Sequence, residues 1–414
     1  MNQLAARPTA PNGDSAGHPP EGRSTYLFTM SWDIGAIGGV SQVVKALMEQ
    51  LHEAGPFRPV LAVNEWADAR PRRVSDGGLE RVFLRVRSPR RREGLTATGV
   101  LRYLLALPMH VRTLRSFARR ERVRVVNAHF PGLDLLSWFV ARWFGGPAYR
   151  IVISLHGLEI RSTFGRRGLE RRLWRWMLLH ADRVVACSDG LRDEVIAEYG
   201  LPEGGVVTIH NGIELDRVAT ARAAAGTAPA PTRPYLCSVG TYEPKKAHDV
   251  LLRAFARVAA ATDDLDLVMI GRRGETSAAT AALIEELGLS ERVEMIEDLP
   301  HGETLAFMEG STAFVLASRI ESFAIVLLEA GALGTPVIAT DICGVGELIE
   351  DGVHGALVAS DDPAALAAKI LELHGAPERL RSLGECLREH VASGFRWRAA
   401  ADRYLELVTS PRRP

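Results

Sequence analysis

The chain has 414 residues, 47% hydrophobic and 24% charged, with a formal net charge of +0. That length exceeds one ordinary core and predicts two domains, and the composition excludes a mainly disordered chain. The charge is unevenly divided: residues 1–217 hold 31 basic and 22 acidic residues (+9), leaving 19 and 28 (−9) for the rest. The basic half suits an anionic membrane surface, and equally a merely solvated face.

Residues 1–23 are rich in Pro, Gly, Ala and Ser and are expected to form a disordered tail without a signal-peptide core. No apolar run reaches the roughly 18 residues of a membrane span. Cys187, Cys237, Cys343 and Cys386 are widely spaced, without a Cys-x-x-Cys pair. They suggest neither a zinc site nor a disulfide framework, so a reducing cytoplasm is expected.

Strands are predicted at Tyr26–Met30, Val60–Val63 and Val82–Val86, with the first leading into a glycine-rich loop and a helix containing Val43, Val44, Leu47, Met48 and Leu51. The Arg- and Pro-rich stretch 70–93 reads as loop around the third strand. A helix over 99–117 follows. Strands ending at His129 and at His156-Gly157 then alternate with helices over 133–144 and 169–180. A strand over 183–187, a helix over 190–199 and the turn His210-Asn211-Gly212 close the first half. Residues 217–234 lack periodicity and read as a connection. The second half alternates again: strands near 235–239, 265–270, 293–296, 313–317 and 336–339, with helices between them. A short helix is expected over 347–351, another beginning at Asp362-Pro363, and final helices near 377–391 and 397–408. This alternation predicts parallel sheets, an α/β class with two doubly wound, Rossmann-like domains. The expected boundaries are 24–215, a linker over 216–233, 234–395, and a helix over 396–410 crossing back to the first domain.

Chemistry concentrates at Ser318 to Ala330. Glu321 falls on a strand-to-helix loop, and Glu329 about two turns into the helix. Ligands of open α/β sheets bind at such strand ends, and a helix start offers free N–H groups to phosphate. The Asp264-Leu265-Asp266 pattern precedes its strand, the wrong end for a metal-bound diphosphate, and reads as a polar strand start. The twelve histidines form no His-x-His or His-Glu-x-x-His pattern. Basic and aromatic residues mix over Arg161 to Met177, which suits either an anionic membrane or an outer helix with one core face. No nucleic-acid motif is present.

Taken in order, these loops resemble those of the family 4 retaining glycosyltransferases over residues 26–408. Gly38-Gly39-Val40 is similar to the family's glycine loop, and Asn211-Gly212-Ile213-Glu214 to its Asn-Gly turn. Val239-Gly240 with Lys246, Glu321-Ser322-Phe323-Ala324, Gly334-Thr335-Pro336 and Asp351-Gly352 with Gly355 continue the match, and Glu321 and Glu329 are similar to its Glu-x7-Glu element. The resemblance implies a GT-B fold and retaining, metal-independent transfer of a hexosyl unit from a UDP- or GDP-sugar, without a cofactor. The acceptor would be a saccharide or lipid-linked saccharide, in polysaccharide or glycolipid synthesis at the inner face of the membrane. It places Glu321 at the donor-sugar hydroxyls and Glu329 at the ribose hydroxyls. Gly38, Gly39, Lys246, Arg319 and the Ser322, Phe323, Ala324 and Ile325 loop would bind the rest of the donor. His129 would position the donor sugar, and His156 would line the acceptor side. Thr241 stands where the family has an arginine, so Arg319, Lys245 or the 322–325 N–H groups would compensate. Rival readings are a GT-B epimerase or phosphorylase, and a non-catalytic nucleotide-sugar-binding protein.

Overall fold

The computed structural model describes residues 23–33, 38–64, 72–76, 78–91, 94–145, 148–226 and 231–411. The expected tail, except Arg23, and residues 34–37 of the glycine loop lie outside them. Strands rich in Val and Ile build two sheets. The first has eight strands, in the order Val207–Thr208, Arg183–Ala186, Arg150–Leu155, Val123–His129, Ser24–Met30, Phe57–Asn64, Leu79–Leu84 and Arg72–Asp76. All its pairings are parallel except that of Arg72–Asp76 with Leu79–Leu84. Consecutive residues Ile151, Val152 and Ile153 are all fully buried, as expected where helices cover both faces of a parallel sheet.

The second sheet is wholly parallel, in the order Val293–Glu297, Asp266–Gly271, Tyr235–Val239, Ala313–Leu316, Val337–Thr340 and Ala356–Val358. In each sheet the chain winds away from its first strand in both directions. That reversal leaves a crevice at the strands' carboxyl ends, where α/β sheets bind ligands.

Two backbone crossings join the lobes. Ile213 N–H donates to the Phe395 carbonyl at 2.9 Å, and Ile213 bridges Arg396 in parallel. At Gly212 a Cβ would overlap the Trp397 backbone nitrogen, which gives the Asn-Gly turn a structural reason for its glycine. The chain then enters the helix Trp397–Thr409, which packs on the helix Gly39–Ala54 of the first lobe. Trp397, Ala400, Ala401, Tyr404 and Val408 share one apolar cluster with Val43, Val44, Leu47 and Met48. Tyr404 Oη also lies 3.1 Å from Ser154 Oγ, itself bonded at 2.8 Å to Asn127 Oδ1.

Some expectations are corrected. Residues 215–224 form a helix with Val218 buried, because its alanines favour helix and it packs on the helices His301–Gly310 and Ile325–Leu333. Stretch 70–93 contributes the antiparallel edge strand Arg72–Asp76, joined to its neighbour through a turn with Gly78 at φ 81°. In place of the expected helix over 347–351, turns run over 343–348 and Asp351 bridges Gly355, and Ala356–Val358 adds a sixth strand.

Candidate active site

The loops after the strands of both sheets line one cleft of about 570 Å³. Gly39, His156, Arg161 and Asn211 contribute from the first lobe; Lys245, Lys246 and residues 320–323 and 325 from the second. A Cβ on Gly39 would come within 3.8 Å of Ile325 Cδ1, so the glycine loop faces the start of the helix Ile325–Leu333. No side chain caps that helix, which leaves its first N–H groups for a ligand.

Glu321 stands beside that helix start. Lys246 Nζ lies 2.5 Å from Glu321 Oε1, and Ser318 Oγ donates to the same oxygen at 2.8 Å. Both charged groups are largely shielded from water, with side-chain exposures of 17% and 11%. The carboxylate and ammonium therefore neutralise each other at the centre of the cleft. Arg161 approaches from the other lobe: Nη1 donates to Ser322 Oγ at 2.9 Å and to the Glu321 carbonyl at 3.3 Å, while Nε and Nη2 hold Glu194. Gly157, at φ 116°, lets the two loops touch, since a Cβ there would overlap Ser322 Oγ.

The structure separates the two expected histidines. His156 lines the cleft. His129 is fully buried behind it, with Nδ1 3.0 Å from His156 Nε2 and rings stacked at 5.2 Å. The histidine expected at the donor sugar, His129, thus stands behind His156 and outside the cleft lining. Burial pushes His156 down to about 4. Burial, and secondarily the neighbouring His156, hold His129 well below the ordinary histidine value. Both rings are neutral near pH 7, so one donates and the other accepts. Glu159 fixes the loop by accepting the N–H groups of His156 and Gly157, and burial raises its carboxyl to about 7.

Arg319, expected to bind the donor, is engaged within its own lobe. Its guanidinium is held by Asp249 at 2.8 Å, Asp361 at 2.6 Å and the Pro244 carbonyl at 2.9 Å. Lys245 lines the cleft but pairs with Glu243 at 2.7 Å. Glu329 lies outside the cleft lining and pairs at 2.8 Å with His301, whose pKa it raises. Gly38 precedes the first helix turn, and Phe323 and Ala324 are buried. Asp266 begins its strand and Asp264 lies two residues before it, paired with Arg292 and His374 respectively.

Sequence reasoning missed Arg161, Ser318, Glu159 and His301. Arg161 had a local signal, being five residues beyond the strand-end His156; His301 had none, since 28 residues separate it from Glu329. Also missed was a contact between the lobes at Glu347. Its carboxylate accepts N–H bonds from Asp189 at 2.7 Å and Gly190 at 2.8 Å, at the start of the first-lobe helix Asp189–Tyr199, and meets His210 Nε2 at 2.9 Å. Asp189, His210 and Glu347 could group around a cation, but a cation would have to displace these hydrogen bonds.

The two-sheet architecture is that of known GT-B enzymes. Sucrose-phosphate synthase from Thermosynechococcus elongatus superposes with a TM-score of 0.74 at 22% identity, over 94% of this chain and 98% of that one. Anabaena Alr3699/HepE, solved in complex with UDP-glucose, gives 0.69 at 18% identity, over 94% and 100%. The model for "Glycosyltransferase Family 4" matches residues 37–217, and that for "Glycosyl transferases group 1" residues 222–390. The D-inositol 3-phosphate glycosyltransferase of Rhodococcus jostii is 32% identical over 310 residues, 71% of this chain and 68% of that protein. Glycosyltransferase 2 of the same name from Catenulispora acidiphila is 33% identical over 234 residues, 53% of this chain. That match spans only about half, 54%, of the relative's length. The chain belongs to the group 1, family 4 glycosyltransferases.

Proposed function

We propose that the protein transfers a hexosyl unit from a UDP- or GDP-sugar to an acceptor hydroxyl, with retention of configuration and without a metal. The observation that carries this reading is the Glu321–Lys246 pair at an uncapped helix start, facing His156 and Gly39 across the cleft. An arriving donor would exchange partners with that pair. Glu321 would accept hydrogen bonds from the sugar hydroxyls, and Lys246 would turn to the diphosphate. Negative charge grows on the leaving phosphate as the glycosidic bond breaks, and the ammonium and helix N–H groups stabilise it there. Acceptor attack on the same face would pass the acceptor proton to the leaving phosphate oxygen.

Arg161, rather than Arg319, is our candidate for the cation missing at Thr241, because it already touches Ser322 at the helix start. Glu329 would take the ribose hydroxyls by exchanging them for His301. His156, neutral and in the cleft, would position the sugar, with His129 orienting it from behind. The UDP-glucose in the Anabaena complex makes UDP-glucose the first donor to assay. The name shared by the relatives makes a phosphorylated cyclitol the first acceptor, beside saccharides and lipid-linked saccharides.

The test is a nucleotide-release assay over a donor and acceptor panel. Glu321→Ala should cut kcat by more than about 100-fold, as expected for loss of transition-state contacts, with the folded circular-dichroism spectrum retained. Near-normal turnover by that variant would remove the assignment. Activity should persist in EDTA; loss restored by Mg²⁺ or Mn²⁺ would overturn metal independence.

A further inference from the structure

The helix Ala97–Arg120 lies on the outside of the first lobe. It contains five arginines and no acidic residue. Its inner face is well anchored: Tyr103, His110, Leu114 and Phe117 are buried, and Tyr103 Oη meets Ser137 Oγ at 3.0 Å. The outer face is divided along its length. Leu101, Leu104, Leu105 and Met109, on the first half, are each more than half exposed. Arg112, Arg115, Arg119 and Arg120 follow on the second half. Trp143 and Phe144, at the end of the neighbouring helix Leu136–Trp143, are also more than half exposed, and Phe144 shares a groove with Leu104 and Arg112. Among the described residues, six of the eleven exposed large hydrophobics therefore collect on one face bordered by guanidinium groups.

Scattered exposed leucines need no explanation, but a contiguous apolar patch does. Water alone is a poor partner for this one. The flanking charge is mainly basic: Arg120 pairs with Glu121 at 3.3 Å, but Arg112 and Arg102 make no ion pair among the described residues, and Arg115 and Arg119 donate there only to the Gly145 carbonyl. Apolar side chains beside basic ones, on a helix fixed to the protein by its other face, match an interfacial helix. By contrast, three of the arginines expected to meet a membrane on Arg161–Met177 are committed within the protein. Arg166 bonds Glu170 at 2.8 Å, Arg171 bonds the Glu198 carbonyl, and Arg175 bonds the Tyr199 carbonyl at 2.9 Å.

We propose that the outer face of the helix Ala97–Arg120, with Trp143 and Phe144, docks on an anionic phospholipid bilayer. Leu101, Leu104, Leu105 and Met109 enter the acyl boundary, and the arginines of the second half lie on the headgroup phosphates. The inference does not rest on the transferase reading, so binding and activity can fail separately.

Sedimentation with vesicles tests it. The full chain should pellet with phosphatidylcholine vesicles containing phosphatidylglycerol, should be released by salt, and should stay in solution with phosphatidylcholine alone. Leu105→Glu/Met109→Glu should weaken binding more than about tenfold, and Arg112→Ala about fivefold. These side chains are exposed, so circular dichroism and melting should match the parent protein. Arg167→Glu/Arg172→Glu, at and just before the other basic helix Leu169–His180, should bind as the parent does. Absence of binding to the anionic vesicles, or binding indifferent to Leu105→Glu/Met109→Glu, would overturn the proposal. A dimer in light scattering that this double variant dissolves, without vesicle binding, would assign the face to a second copy and likewise overturn it.

Discussion

Glu159 shows how one buried group sets the chemistry of the cleft loop. Its carboxyl is raised to about 7 and holds the His156 and Gly157 amides. In the unfolded chain the same group titrates near 4.5. A raised carboxyl pKa stabilises the fold below the unfolded value, and that stability is lost as pH rises through the folded value. His156 works in the opposite sense: lowered to about 4 from 6.5, it costs stability as pH falls through the unfolded value, and the loss is complete below about 4. The two slopes oppose each other between pH 4.5 and 6.5. Glu159→Gln, which keeps an amide acceptor, should separate them. Relative to the parent, its unfolding free energy should rise by up to about 3 kcal/mol between pH 4.5 and 7. Urea melts across that range would show it, and a constant difference would remove the buried-acid reading. None of this was legible in the sequence, where Glu159 is an ordinary helix-start carboxylate. Glu321 and Lys246 were legible because their spacing is local to strand ends. The pairing of Arg319 was not legible, because sequence shows a basic residue beside Glu321 but not the aspartates, 42 and 70 residues away, that hold it.

At the level of elements, alternation of apolar runs revealed most strands and helices and the presence of two parallel sheets. What it could not reveal was packing that creates order without periodicity. The helix Leu215–Ala224 looks like linker because one buried residue, Val218, replaces an apolar stripe. Arg72–Asp76 looks like loop because an edge strand needs little hydrophobic patterning. The crossing at Gly212 is the most sensitive of these junctions. Gly212→Ala would drive a methyl into the Trp397 backbone, and repair requires moving one of the crossing segments. We expect a loss of about 1–3 kcal/mol, seen as a lower melting temperature and faster amide exchange in residues 397–409. A melt within error of the parent's would show that the crossing yields freely.

Across the whole molecule, the lobes meet, among the described residues, through a small set of side-chain contacts. Arg161 binds Ser322, and Glu347 fastens onto the helix Asp189–Tyr199 and His210. The main-chain and His210 hydrogen bonds hold Glu347 below the usual glutamate value, although its burial acts to raise it. Glu347→Ala should release this contact. Solution scattering should report a larger maximum dimension, and the donor KM should rise about tenfold with a smaller change in kcat, since charge-assisted bonds aiding closure are lost. An unchanged scattering profile would place closure elsewhere. The helix Trp397–Thr409 has another consequence, in time rather than space. It supplies Trp397, Tyr404 and Val408 to a core whose other walls are made from residues 26–63 and their neighbours. During synthesis those early strands and the Gly39–Ala54 helix emerge from the ribosome long before their last covering helix is translated. The second lobe can close its own sheet first, and the first lobe must wait with an apolar face open. The lobe that begins the chain is thus the last to be completed, and the nascent protein's exposure to chaperones is set by the time taken to translate the other lobe.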